Sequence, residues 1–309
     1  AGSSPRAGGA IRATFERLRR QRRKALVPFI MGGDPDLATT RELLLALEDA
    51  GADLIEVGIP FSDPLADGPT IQAASARALA HGTAPAQVLS AIAAVRARLQ
   101  VPVVCLSYWN PIVQFDSFDS GGRLRHRGRS PARSGVPGRA GLRSARWWKT
   151  EAPLDGVRAF LRAARDSGCT GLIVPDLPIE EGLAVRGPAS REGMATIFLA
   201  APTSGPDRLR AIARASEGFI YYVSVTGTTG ARRALPRTLL HGVRQLRILT
   251  TKPICVGFGI STPAQAAAVA RIADGVIVGS ALIQAMRESR GRQALRAATA
   301  FLKRLRRAV

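Results

Sequence analysis

Two acids frame an unusual stretch of the chain, Leu54 to Gln72, LIEVGIPFSDPLADGPTIQ. Glu56 interrupts a run that reads as a buried parallel strand, where a carboxylate is costly unless it is paired or kept for chemistry. Phe61 to Pro69 is too rich in Pro, Gly and Asp to be helix or strand, which places Asp63 and Asp67 on a loop. A buried glutamate has its pKa raised from about 4.3 toward roughly 6 to 7, so it can give and take a proton near neutrality. Asp67, on a polar loop, is expected to stay ionised, and two acids in divergent environments divide such roles. The same spacing also admits a plain reading, with Glu56 a hydrogen-bonded core acid and Asp67 the N-cap of a helix over Thr70 to Leu79.

The rest of the inventory narrows the chemistry. A Schiff-base mechanism needs a lysine at the working end of a strand, whereas Lys24 and Lys252 precede strands, Lys149 lies in a low-complexity segment and Lys303 in the last helix. His81, His126 and His241 are scattered, so no metal site is expected. Glycine-rich turns follow three successive strand candidates, VTGTTG, GFGIS and VGSA. Glycine lets backbone N–H groups approach an anion, and a helix beginning at Ser280 aims its positive end at the same point. A phosphorylated ligand is therefore expected there, the plain alternative being ordinary tight turns.

The elements that must position these residues alternate. Strand candidates are Ala25 to Met31, Leu54 to Pro60, Val101 to Tyr108, Gly171 to Leu177, Thr196 to Pro202, Phe219 to Val225, Pro253 to Gly259 and Gly275 to Gly279. Helical periods fall at Thr39 to Ala50, Pro85 to Leu99, Val157 to Ser167, Pro206 to Ala215, Pro236 to Leu249, Pro263 to Ile272 and Ala281 to Arg307. Eight strand–helix units predict an α/β fold, a closed (β/α)8 TIM barrel forming a single domain over residues 1–309. An open doubly wound sheet needs a phosphate fingerprint after the first strand, and IMGGDPD is not GxGxxG. Polar and glycine residues collect at the predicted strand ends, which marks that face as the working one. An extra amphipathic helix precedes the first strand, with Ile11, Phe15 and Leu18 on its buried face.

Asp116 to Asp155 breaks the alternation. These 40 residues hold 6 Gly, 5 Ser, 3 Pro and 9 basic side chains without a sustained period, and are expected to form a long mobile loop after the third strand. Trp147 and Trp148 within it are candidate contacts for the barrel or a partner. The net charge of +21 raises the question of nucleic acid, but 40 Arg against 4 Lys fits a coding bias spread over solvated helix faces better. No apolar run reaches membrane-spanning length, and Cys105, Cys169 and Cys255 read as reduced core residues, so a soluble cytoplasmic protein is expected.

The blocks LIEVGIPFSDPLADGPTIQ, SYWNPI, GLIVPDLPIEE, YYVSVTGTTGAR and KPICVGFGIS together resemble the tryptophan synthase alpha chain. The resemblance implies a (β/α)8 lyase that splits indole-3-glycerol phosphate into indole and glyceraldehyde 3-phosphate and passes indole to a beta chain in an alpha2-beta2 tetramer. It implies no cofactor in this chain, pyridoxal phosphate belonging to the beta chain. By position, Glu56 corresponds to the general acid/base and Asp67 to the acid that holds the indole N–H. Phe29, Leu106, Tyr108, Tyr221 and Phe258 correspond to the indole pocket, and Gly230, Gly259, Gly279 and Ser280 to phosphate donors. The sequence departs from the family at Met31, which replaces a small or hydroxyl residue, and at the insertion, because joining Phe115 to Gly156 gives the continuous pattern NPIVQFGVRAF. Competing readings are a related phosphosugar-barrel enzyme and a non-catalytic basic binding module.

Overall fold

A computed structural model describes residues 7–115, 153–223, 235–257, 259–287 and 291–309. Among them, nine parallel strands run β1 (Ala25–Met31), β2 (Ile55–Gly58), β3 (Val103–Leu106), β4 (Cys169–Ile173), β5 (Ala195–Ile197), β6 (Leu199–Ala200), β7 (Ile220–Val223), β8 (Ile254–Gly257) and β9 (Gly275–Val278). Their order is β5-β4-β3-β2-β1-β9-β8-β7-β6. The two ends of this ladder are consecutive in the chain, separated only by Phe198. The strand expected over 196–202 is thus one stave broken in the middle, pairing with β4 before Phe198 and with β7 after it. The break has a tertiary cause: the Phe198 N–H turns to the Ser216 hydroxyl, while its carbonyl accepts the Tyr221 N–H. The sheet closes into the expected TIM barrel.

Helices cover the outside: α1 (Gly9–Arg20), α2 (Leu37–Asp49), α3 (Pro69–Ala80), α4 (Pro85–Val95), α5 (Trp109–Val113), α6 (Pro153–Asp166), α7 (Leu183–Arg191), α8 (Pro206–Ala215), α9 (Arg237–Leu249), α10 (Pro263–Ala270), α11 (Ser280–Arg287) and α12 (Arg292–Arg306). Their starts follow from sequence. Asp36 caps α2 by accepting the Thr39 N–H at 2.6 Å, and Thr262 with Gln265 forms a capping box on α10 ahead of Pro263. As expected, α1 buries Ile11, Phe15 and Leu18. Phe15 meets Phe219 at 5.9 Å, so α1 packs at the end of the barrel where the strands begin.

Two expectations change. The helix expected over 281–307 is two helices, with Gly291 at φ 52° opening the second. Helix α7 has no counterpart among the predicted helices because Gly187 and Pro188 break its pattern, yet burial of Val185 and Ala189 holds it helical.

The barrel is continuous across the inserted segment. Residues 116–152, including the two tryptophans, lie outside the described residues, but their flanks touch. A Cβ on Gly156 would fall 1.9 Å from the Val113 carbonyl oxygen, and Phe115 meets Phe160 edge-on at 5.4 Å. The segment ends earlier than its composition suggests: α6 begins at Pro153 and carries Asp155 in its first turn, where an acid complements the helix dipole.

Candidate active site

Glu56 sits on β2 with 1% of its surface exposed. Its register partner across β1 is Phe29. The Phe29 ring lies over Gly58, where a Cβ would come within 2.7 Å of it, and the Met31 methyl stands 3.2 Å from the same point. A side chain at 58 would displace the ring, so glycine is required by close approach. Phe29 also packs on Gly279, so one side chain touches both Gly58 and the turn before α11. Leu106, buried, is the register partner of Gly58 from β3. Tyr221 on β7 lies against Gly257, and its buried hydroxyl is pushed well up by burial first and then by the charges of Glu56 and Asp67.

Oε2 of Glu56 has no hydrogen-bond partner among the described residues. Burial, then the nearby charge of Asp67, pushes its pKa from 4.5 up to about 8, above the range expected from sequence. This argues against the reading of Glu56 as a satisfied core acid, since buried polar atoms are normally bonded.

Asp67 does not cap a helix. The N-cap of α3 is Gly68, followed by Pro69, with no side-chain capping bond. Nor is the loop around Asp67 simply polar and open. Asp67 is half-buried, and burial raises its pKa to about 6 while the Tyr108 hydroxyl pulls it down. At neutral pH the pair therefore divides as Glu56 protonated and Asp67 ionised.

The loop is fastened by residues that sequence reasoning does not single out. The Ser75 hydroxyl on α3 accepts the Phe61 N–H and donates to the Phe61 carbonyl, both at 2.8 Å. The Gln72 amide donates to the Asp67 carbonyl at 3.0 Å. Arg77 on α3 grips buried Asp34, after β1, through two bonds of 2.8 and 2.7 Å. Burial of Ser75 on the otherwise apolar Ala74–Ala78 face is the available signal.

Of the expected phosphate donors, Gly259 has φ 73°, in the left-handed region, and Gly279 and Ser280 open α11, with the Gly279 carbonyl accepting the Leu282 and Ile283 N–H groups. Gly230 and Phe258 lie outside the described residues. Lys252 is engaged at the opposite end of the barrel, donating to the Ala213, Arg214 and Ser216 carbonyls behind α8 at 2.8, 3.0 and 2.7 Å.

A buried, proton-holding glutamate, a second acid on a loop above it, an aromatic wall and a glycine-lined helix start converge at the C-terminal ends of the strands. The sequence profile of the tryptophan synthase alpha chain matches residues 15–120 and 154–309. The chain belongs to the tryptophan synthase alpha chain family. The family match leaves residues 121–153 between its two segments, within the insertion. The chain is 43% identical over 307 residues to the tryptophan synthase alpha chain of Gloeobacter violaceus, covering 99% of this chain and 97% of that one. It is 42% identical over 285 residues to that of Geotalea daltonii, covering 92% and 93%. Among solved structures it resembles tryptophan synthase subunit alpha of Legionella pneumophila, with a TM-score of 0.77, 34% identity and 97% coverage of each chain. It also resembles a chain of the tryptophan synthase a2b2 complex of Pyrococcus furiosus, with a TM-score of 0.74, 34% identity and coverage of 91% and 97%.

Proposed function

We propose that this chain cleaves indole-3-glycerol phosphate to indole and glyceraldehyde 3-phosphate, with Glu56 and Asp67 as its catalytic acids. The observation that carries the reading is a glutamate buried in β2 with one carboxyl oxygen unpartnered among the described residues, within reach of the charge of the loop acid Asp67. Protonated Glu56 gives its proton to C3 of the indole ring. The resulting indolenine carries positive charge at the ring nitrogen, and ionised Asp67 accepts the N–H bond and stabilises that charge. Glu56, now a carboxylate, takes the proton of the glycerol hydroxyl as the carbon–carbon bond breaks. The bonding pair returns to the ring, indole leaves, the aldehyde of glyceraldehyde 3-phosphate forms, and Glu56 is again protonated.

Phe29, Leu106 and Tyr221 would bound the indole together with Phe258, and Met31 would narrow the cavity beside Gly58. Gly259, Gly279 and Ser280, with Gly230, would bind the phosphate through backbone N–H groups and the positive end of α11. No metal or cofactor in this chain enters these steps.

The biological unit we propose is an alpha2-beta2 tetramer with a beta chain that carries pyridoxal phosphate, in the cytoplasm. The Pyrococcus furiosus a2b2 complex and the buried, free cysteines support this. No single helix among the described residues is long and apolar enough to cross a membrane.

Substrate profiling tests the reading. Indole-3-glycerol phosphate should be consumed with matching release of indole and triose phosphate. Turnover of a different indole or anthranilate phosphate instead would point to a related barrel enzyme. Salt-sensitive retention on nucleic acid with no indole formed would point to a binding module.

A further inference from the structure

The family resemblance puts Tyr108 in the indole pocket, but its hydroxyl is committed elsewhere. Tyr108 leaves β3 as the N-cap residue of α5 and is 3% exposed. Its ring lies against Phe61 at 5.2 Å and 31°. Its hydroxyl accepts the Ala66 N–H at 3.0 Å, a bond between residues 42 apart in sequence. That bond uses an oxygen lone pair and leaves the phenolic proton to be donated, and Asp67 is the next residue along the loop.

We infer that Tyr108 is a positioning residue for Asp67, its hydroxyl fixing the 61–68 loop so that the carboxylate stays at the mouth of the barrel. The inference rests on the lyase reading and deepens it. Three independent fastenings converge on this loop, from Ser75 at Phe61, Gln72 at the Asp67 carbonyl and Tyr108 at Ala66. Of these, the Tyr108 fastening is the one next to Asp67 in the chain, and the Tyr108 hydroxyl draws the Asp67 pKa down against the rise caused by burial. The other titratable groups facing Asp67 are Glu56 from β2 and Tyr221 from β7, while Asp176 beyond β4 acts on Tyr108 itself.

Tyr108→Phe keeps the ring against Phe61 and removes only the hydroxyl. The expected result is a folded protein in which kcat falls by about 10- to 100-fold with KM within about threefold, and the acid limb of the pH profile moves to higher pH. The sign follows from the bond: without the donated proton, Asp67 holds its own proton more tightly and needs a higher pH to ionise. Because Tyr108 acts through Asp67, adding Tyr108→Phe to Asp67→Asn should cost little beyond Asp67→Asn alone. An unmoved acid limb, or losses that simply add, would overturn the inference. A 13C titration of the Asp67 side-chain carboxyl in wild type and Tyr108→Phe reads the same shift without turnover. Wild-type protein that releases no indole while the Asp67 titration still shifts in the variant would sink the lyase reading and leave the positioning role standing.

Discussion

The charge of Asp67 reaches Glu56 and adds to the burial that holds Glu56 protonated. One acid of the pair thus helps to set the other, and their ionisations near pH 6 and 8 bracket neutrality. The free enzyme should show a bell-shaped pH profile of kcat/KM, rising as Asp67 ionises and falling as Glu56 loses its proton, with its plateau near pH 7. A profile still rising beyond pH 9 would contradict the assignment of Glu56 as the proton donor.

The same shift carries a stability signature. The folded pKa of Glu56 is raised, so its contribution is fully present below about pH 4.5 and is lost as pH climbs toward about 8. Glu56→Gln cannot ionise and should escape that loss, gaining on the order of a few kcal/mol relative to wild type across this window. Thermal midpoints at pH 5 and pH 8.5 check this: the difference between variant and wild type should be larger at the higher pH.

Gly156 tests whether the flanks of the insertion hold the barrel together. Alanine there gains about 1 kcal/mol of helix propensity, but its Cβ would fall 1.9 Å from the Val113 carbonyl oxygen, a backbone atom that cannot swing aside. Overpacking costs about 1–3 kcal/mol and occasionally more, so the steric term should win and the thermal midpoint should drop. An unchanged or raised midpoint would show that the α5 and α6 contact is not tight.

The proposed pairing with a beta chain can be tested at the inserted segment and at the tip of the loop that carries Asp67. Removing 116–152 so that Phe115 joins Pro153 should leave a folded barrel, because Phe115 and Phe160 already meet, and should alter beta-chain affinity. Leu65 is an apolar side chain 90% exposed on the loop that carries Asp67, and the proposed pairing would bury it. Burying a leucine is worth about 1.5–3 kcal/mol, so Leu65→Asp should weaken beta-chain binding by roughly 10- to 100-fold while sparing indole release by the isolated chain. Titration calorimetry with a beta chain measures both affinities, and values equal to wild type would remove these segments from the interface.

What the sequence disclosed was local. A single acid in an apolar run is visible without a fold, and so is a Pro- and Gly-rich loop after it. Alternation of apolar runs and helical periods located most strands to within a few residues, and β1 and α8 fall at the expected bounds. What it hid was nonlocal. The setting of Asp67 depends on Tyr108, which packs on Phe61 and bonds Ala66 of the same loop across 42 residues of sequence. Helix α7 is masked by Gly187 and Pro188, whose local preference loses to the burial of Val185 and Ala189. The break at Phe198 depends on Ser216, 18 residues further along the chain at the end of α8, and leaves no mark in the strand's own composition.

Indole release from indole-3-glycerol phosphate by the purified chain, alone and with a beta chain, compared with Glu56→Gln, bears on the proposed chemistry with the fewest intermediate assumptions. Measurable wild-type turnover is expected, with a loss of about 10²-fold or more in the variant, which keeps its fold. A folded wild type inactive in both settings, or a Glu56→Gln variant that retains full activity, would contradict the lyase role of Glu56.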